Sequence, residues 1–336
     1  MDSVLYQQAA DASVDRSALA RLHRLATSPG EPRALNARMR WGLLMVAALL
    51  LASGLIFWIA ANWQEQTRLF KLGLIEGALA LSVLAALLLP RVRVPALLCA
   101  HLALGGLLAF VGQTYQTGAD AWQLFAVWAA LSLIWTALAR SDVLWSLWVL
   151  VAATSITMWM GRWGFFEVLF GEGQALLSDL IHMGLWLALA LVPAVVSLIA
   201  PIRVAGGMGW WSHRLALVGA LSAWVTIGVV YLFDSSRSGA LYFAPGLLAA
   251  GALWLSLQGR WRDFISVCIA ALALNAWVLV GMGRLFGQVE TSDVLFLFTL
   301  VGLACLGGTV TGLIAVQKRM RDEDRASAAS AEGRAA

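Results

Sequence analysis

Ten apolar segments, each close to the length that crosses a lipid bilayer, constrain this chain more than any other feature. A membrane-spanning helix needs about 20 apolar residues, because the hydrocarbon core is about 30 Å thick. The segments are continuous runs rich in Leu, Ala and Val, without the alternation of barrel strands, and only helices pair every backbone group within such a run. We therefore predict an all-α, polytopic membrane bundle of about ten transmembrane helices. The segments are 42–60, 70–89, 94–112, 120–139, 143–160, 178–200, 214–233, 239–257, 264–282 and 292–316.

The composition points to lipid as the main solvent of the chain. Hydrophobic residues make up 61%, charged residues only 12%, and the mean hydropathy is +0.80, whereas soluble domains carry about 25% charged residues. We therefore expect the lipid bilayer as a partner and no nucleic acid, since the small positive excess lies on loops. Cys99, Cys268 and Cys305 fall inside apolar segments and are predicted to be small buried side chains.

Positive charge alternates between the loops that join the segments. With the N-terminus placed inside, 18 of the 23 Lys and Arg residues fall on one side of the membrane. The other side carries the remaining five, which are Arg68, Lys71, Arg162, Arg237 and Arg284. Because cytoplasmic loops are enriched in Lys and Arg, this asymmetry predicts ten crossings with both termini cytoplasmic.

Three regions follow from this topology. Residues 1–41 are predicted to be a cytosolic N-terminal helical segment, 42–316 the transmembrane bundle, and 317–336 a disordered cytosolic tail. We expect a signal anchor and no cleaved signal peptide, because a polar stretch precedes a first apolar run longer than a signal core. Small residues spaced by four, Gly105 with Ala109 and Gly308 with Gly312, predict helix-packing faces.

A few polar residues lie inside the predicted helices. Glu76 is about 9 Å below the outer boundary at 1.5 Å per residue, where an ionisable group is costly and raises a functional hypothesis. The alternative for Glu76 is a structural hydrogen bond or an arginine partner. His101 is predicted to be a satisfied core histidine with proton relay as the alternative, and Asn275 to bond to a neighbouring helix.

A denser polar group lies where the first and third helices end and the fourth begins. If these ends adjoin, the group lines a polar mouth on the extracytoplasmic side, above Glu76; otherwise it is a wet loop rich in amides. Its members are Asn62, Trp63, Gln64, Gln113, Tyr115, Gln116, Asp120 and Gln123.

The chain carries no motif for a named chemistry. It lacks His-Glu-x-x-His, Gly-x-Ser-x-Gly, the Walker lysine loop and Cys-x-x-Cys. We therefore predict no catalytic residues, no cofactor and no metal site.

Two short motifs resemble a family of bacterial membrane proteins. The first helix closes on Ala60-Ala61-Asn62-Trp63 and the third on Gly112-Gln113-Thr114-Tyr115-Gln116. Over roughly residues 15–140 the chain resembles the predicted membrane proteins called domain of unknown function 2157. The resemblance implies a location in the bacterial inner membrane. It does not indicate any particular activity.

Three functions remain open from the sequence. The first is a transporter-like or channel-like protein with Glu76 beneath the polar mouth. The second is a non-catalytic scaffold for an envelope protein partner. The third, a lipid-modifying enzyme, would need Glu76, His101 and Asp120 at one depth, and their predicted depths differ. The sequence leaves the oligomeric state open.

Overall fold

The fold is all-helical throughout the part of the chain that the computed structural model describes. That part comprises residues 33–62, 64–115, 118, 120–161, 175–204, 209–235, 239–286 and 293–335, and it contains no β-strand. Ten spans within it are long and apolar enough to cross a membrane, which confirms the predicted helix count. The α-helices are α1 (Arg33–Ala61), α2 (Arg68–Leu88), α3 (Arg93–Tyr115), α4 (Ala121–Ala139), α5 (Asp142–Gly161), α6 (Ala175–Leu198), α7 (Trp210–Phe233), α8 (Phe243–Ser256), α9 (Phe264–Phe286) and α10 (Asp293–Ala335).

Helix boundaries differ from the prediction at both ends of the chain. Helix α1 begins at Arg33, so it absorbs the end of the predicted N-terminal segment; residues 1–32 of that segment lie outside the described residues. Helix α10 continues to Ala335, where the sequence predicts a disordered tail over 317–336. An ion pair one turn apart, Arg319 Nε to Glu323 Oε1 at 2.9 Å, supports the helical extension.

The eighth predicted helix is divided in two. Residues Gly239–Tyr242 form a 3₁₀ turn and α8 begins only at Phe243. Pro245 explains the break, because proline has no N–H to donate one turn back and is tolerated only in the first turn of an α-helix.

The chain divides into two compact units, of which the first comprises residues up to Gln66 together with Ala80–Leu102. Within it, α1 buries Met45, Ala48 and Ala52, and the first half of α3 buries a run that includes Leu98. The Cys99 thiol donates to the carbonyl of Ala48 at 3.3 Å, so a small residue on α1 lets α3 approach its backbone.

The second unit, residues Thr67–Leu79 and Ala103–Ala336, has α7 at its centre. Helix α7 packs against α5, α6, α8 and α9. Ala216 and Ala220 of α7 are fully buried and meet Val149 of α5 and Trp186 of α6. Leu217, the residue after Ala216, lies on another face of α7 and packs with residues of α8 and α9. Small residues on α7 thus allow four neighbouring helices to approach it.

Tryptophan rings in the second unit fill the space that glycines leave on facing helices. A Cβ at Gly219 of α7 would overlap the Trp186 ring. The same relation joins Gly105 of α3 to Trp128 of α4, and Gly246 of α8 to Trp277 of α9. By contrast, no described atom lies within 4 Å of a Cβ built at Gly308 or Gly312, so the small residues predicted to pack on the last helix face open space.

Polar contacts join the helices at one end of the second unit, here called the basic end, which carries Arg140, Arg203, Arg214 and Arg262. Arg140 Nε donates to the carbonyl of Arg203 at 2.8 Å. The Asp142 carboxylate accepts from the first N–H groups of α7, at Trp211 and Ser212, at 2.9 and 3.1 Å. These N–H groups have no partner within the helix, so Asp142 both satisfies them and complements the helix dipole.

A bidentate ion pair links α7 to the start of α9 at the same end. Arg214 donates from Nη2 to Asp263 Oδ1 at 2.6 Å and from Nε to Oδ2 at 3.0 Å. Ser266 adds N–H and O–H donors to Asp263 Oδ2. Burial raises the pKa of Asp263, but the hydrogen bonds from Arg214 and Ser266 outweigh it, so the pKa lies below its ordinary value of 3.8.

We expect Gly219→Ala to destabilise the protein by about 1–3 kcal/mol, because the added methyl group overpacks the Trp186 ring. Thermal unfolding in detergent measures the change. Gly184→Ala on α6 is the matched control, since nothing lies within 4 Å of its Cβ. Equal stability of the two variants would contradict the proposed packing.

We expect Asp263→Asn to destabilise the protein at neutral pH by about 2–3 kcal/mol, because it leaves the Arg214 charge without its partner. The carboxylate has a lowered pKa in the folded state. Its stabilising contribution is therefore complete above the ordinary value of 3.8 and is lost as the pH falls through the lowered pKa. The difference between the wild type and the variant should thus shrink in acid. A pH series of unfolding measurements tests this, and a difference that stays constant down to acid pH would argue against it.

Candidate functional site

Residues of the predicted polar mouth belong to both units. In the first unit, Asn62 directly follows α1, and its side-chain amide donates to the carbonyl of Trp58 at 2.8 Å. This bond satisfies a carbonyl of the last helical turn. Gln64 follows it and is exposed. Trp63 and Gln116 lie outside the described residues.

In the second unit, a pocket between the end of α3 and the start of α4 brings several of the predicted residues together. Gln113, Asp120 and Gln123 line it, and its volume is about 660 Å³. We call it the α3–α4 pocket. Its walls are apolar, so the polar groups stand on a hydrophobic surface. The other lining residues are Leu108, Ala109, Val111, Gly112, Gly118, Ala121, Leu124 and Val127.

The connection between the two helices positions Asp120 at the pocket. Gly118 has a φ of +66°, a backbone conformation that glycine adopts without steric cost. Asp120 is the N-cap residue of α4, with φ −62° and ψ 147°, but its side chain does not cap the helix. Its carboxylate instead accepts from the Trp122 indole N–H at 3.2 Å. Asp120 thus lines the pocket and is held by Trp122, which is not itself a lining residue, while Tyr115 is exposed and does not line it.

Glu76 is placed differently from the pocket residues. It is exposed on α2 and is not among the residues that line the α3–α4 pocket. Eight residues separate it from the start of the helix at Arg68, which is about 12 Å along the axis. No hydrogen bond or ion pair joins Glu76 to another residue of the described part of the chain.

The two remaining intramembrane candidates are buried. His101 of α3 is fully buried within the first unit, and its role as a satisfied core histidine stays a prediction. Asn275 of α9 donates to Thr309 Oγ1 of α10 at 2.7 Å and to the carbonyl of Ala271 at 2.9 Å. Asn275 therefore has the inter-helix role that its position in the ninth segment predicts.

A buried polar cluster on α6 and α7 was not predicted. Asp179 and His182 lie one turn apart on α6 and are 2% and 5% exposed. The Tyr231 hydroxyl of α7 donates to Asp179 Oδ2 at 2.9 Å, and the Trp186 indole N–H donates to His182 Nε2 at 3.0 Å. We call these the Asp179–His182 cluster. Asp179 and His182 are three positions apart in the apolar segment 178–200, so they share a helix face. This spacing of two ionisable residues is the sequence signal that could have predicted the cluster.

The described residues contain no group of three or more His, Cys, Asp or Glu side chains that could hold a metal ion. The α3–α4 pocket is described by its lining residues, and the Asp179–His182 cluster by its hydrogen bonds and burial.

A protein family matches part of this chain. No curated protein and no solved structure matches the chain. A family model described as "Predicted membrane protein (DUF2157)" matches residues 9–145. This range includes α1 to α4 and both short motifs on which the resemblance rests. Residues 9–145 are therefore similar to the predicted membrane proteins of the DUF2157 family, in agreement with the resemblance seen in the sequence.

Proposed function

We propose that this chain is a transporter-like inner-membrane protein that binds a small amphipathic cation in the α3–α4 pocket. The observation that carries the proposal is the joint lining of this pocket by Gln113, Asp120 and Gln123. Binding pockets for small molecules are mostly apolar, with a few placed polar groups and volumes of about 300–1,000 Å³. The α3–α4 pocket has this character.

The chemistry of the lining selects the class of ligand. Asp120 is the only ionisable residue that lines the pocket among the described residues, so a positive charge is favoured. The amides of Gln113 and Gln123 offer hydrogen-bond donors and acceptors. Leu108, Leu124 and their neighbours would contact the apolar part of the ligand. An amine or ammonium with a short hydrocarbon body meets all three requirements.

The proposed topology puts this pocket on the extracytoplasmic side. Arg140 lies at the opposite end of α4 from Asp120, and the positive-inside rule assigns such a basic loop to the cytoplasm. With both termini cytoplasmic, the pocket would meet solutes that arrive from outside the inner membrane.

We expect alkylammonium ions to bind the purified protein in nanodiscs and to change the fluorescence of Trp122, whose indole contacts Asp120. Asp120→Asn should weaken binding at least about tenfold, because it removes the charge that faces the cation. Titration of the intrinsic fluorescence measures the affinity.

Glu65→Gln is the matched control, since Glu65 is an exposed acid that does not line the pocket. The control should bind as the wild type does. Equal affinity of the Asp120→Asn variant, or no binding by the wild type, would refute the proposed ligand class.

A scaffold that holds a membrane partner is the second candidate, and Glu76 favours it. A carboxylate at the centre of a lipid-facing helix costs about 2.5–3.5 kcal/mol on insertion scales. Glu76 is exposed, and Leu69 and Gly73 are exposed on the same helix face. A partner helix that supplies a hydrogen-bond donor would remove this cost.

We expect a photoreactive side chain at Leu69, which is 81% exposed, to crosslink to a neighbouring protein in native membranes. Glu76→Leu should abolish the crosslink, because the partner loses its polar contact on the same face. Leu81→Ala, an exposed position on another face of α2, should leave the crosslink intact. A crosslink that persists in the Glu76→Leu variant would count against the scaffold.

A further inference from the structure

We propose that the Asp179–His182 cluster is a proton-binding site in which Asp179 is the group that takes up the proton. The site lies on α6 and α7, apart from the α3–α4 pocket. The proposal does not depend on the ligand proposed for that pocket.

Burial is the first argument. Asp179, His182 and Tyr231 are 2%, 5% and 3% exposed, and all three belong to spans apolar enough to cross a membrane. Ionisable residues at such positions are rare because the charged form is costly in a medium of low dielectric constant. A carboxylic acid avoids this cost by binding a proton, so a buried Asp favours exchange between two protonation states.

The hydrogen bonds of His182 fix its tautomer. Its Nε2 accepts from the Trp186 indole at 3.0 Å, so the neutral imidazole carries its proton on Nδ1. Nδ1 is buried and has no hydrogen-bond partner within the described part of the chain. Trp159 of α5 stacks on the ring at 6.5 Å between centroids, which shields it further. The site therefore contains a buried N–H donor that lacks an acceptor.

Asp179 provides the acceptor that this donor lacks when the carboxylate is charged. It lies three residues before His182, a spacing that puts side chains on one face with Cβ atoms about 5–6 Å apart. A rotation of the Asp179 side chain, or one bridging water, would connect its carboxylate to Nδ1–H. The Tyr231 hydroxyl already donates to Oδ2 at 2.9 Å. His182 would then add a donor to the anion beside that of Tyr231, which stabilises the charged form.

Asp179 is the group of the cluster that gains and loses a proton in the proposed step. A proton from water adds to a carboxylate oxygen of Asp179 and forms the neutral acid, and its release restores the anion. His182 and Tyr231 stay neutral in both states and act as positioning residues. Protonation of His182 at Nε2 would instead break its bond from Trp186.

The described titratable groups next to the cluster come from the helices that pack in this unit. On α7, which packs against α6, the titratable side chain at this level is Tyr231, followed by Asp234 just beyond the helix. Helix α5 has one titratable residue in its span, Asp142, at the opposite end. Arg284 of α9 lies over the ring of Phe233 at the end of α7, with Cζ 5.8 Å from the ring centroid.

The test is an infrared pH titration of the full-length protein in nanodiscs, from about pH 8 to about pH 4. The wild type should develop a carboxylic acid C=O band that carbon-13 labelling of aspartate moves. Asp179→Asn should remove this band. Tyr231→Phe and His182→Phe should each move its midpoint upward by about one pH unit, because each removes a donor to the anion.

Asp120→Asn is the control that distinguishes Asp179 from the acid of the α3–α4 pocket. It should leave the band and its midpoint unchanged, which also makes the result independent of the pocket ligand. If the Asp179→Asn variant does not fold, the shifts in the other two variants decide the question. The proposal would be overturned by a band that is absent from the wild type or that neither Tyr231→Phe nor His182→Phe moves. A band whose midpoint changes when sodium replaces choline as the buffer cation would also overturn it, because the site would then bind a metal cation.

Discussion

Close packing of tryptophan against glycine stabilises the second unit, because the hydrophobic effect that brings helices together in water contributes little in lipid. Lipid tails are as apolar as leucine, so burial of an apolar surface gains little in a bilayer, and dispersion contacts decide which helices adhere. Trp186 on Gly219 and Trp277 on Gly246 supply many such contacts at short range. The first of these contacts involves helix α7, whose Ala216 and Ala220 are fully buried and pack in the same cluster as Trp186.

Polar side chains complete the architecture at the helix ends, where backbone groups lack intrahelical partners. Asp142 satisfies the start of α7, and Asp263 connects α9 to Arg214. Such bonds have defined directions and lengths, so they fix the axial register of neighbouring helices, which dispersion contacts alone would leave undetermined. The Asp179–Tyr231 bond has the same effect near the other end of α7. Register and packing thus arise from different kinds of residue.

The sequence predicts the number of helices because hydropathy reports a property that every span must have. It also predicts that Asn275 bonds to a neighbouring helix, since an amide in lipid has few other partners. It does not predict which glycines face a tryptophan, because pairing depends on the helix that lies opposite. Nor does it single out Asp179, because the significance of this acid depends on Tyr231, more than fifty residues later. For the candidate site, Gln113 and Asp120 share one pocket, whereas Asn62 belongs to the other unit.

Helix α10 differs from the other helices in how little of it is enclosed: none of its most apolar window is buried. It contacts α9 through Asn275 and Thr309, and near its C-terminal extension Arg262 pairs with Glu323 at 2.6 Å. Synthesis proceeds from the N-terminus, so the preceding helices exist before α10 leaves the ribosome. Its docking is then a separate, late step of biogenesis, to which the Asn275–Thr309 bond within the span and the Arg262–Glu323 ion pair beyond it contribute. A chain that ends before residue 293 would still contain every contact that α7 makes with its four neighbours.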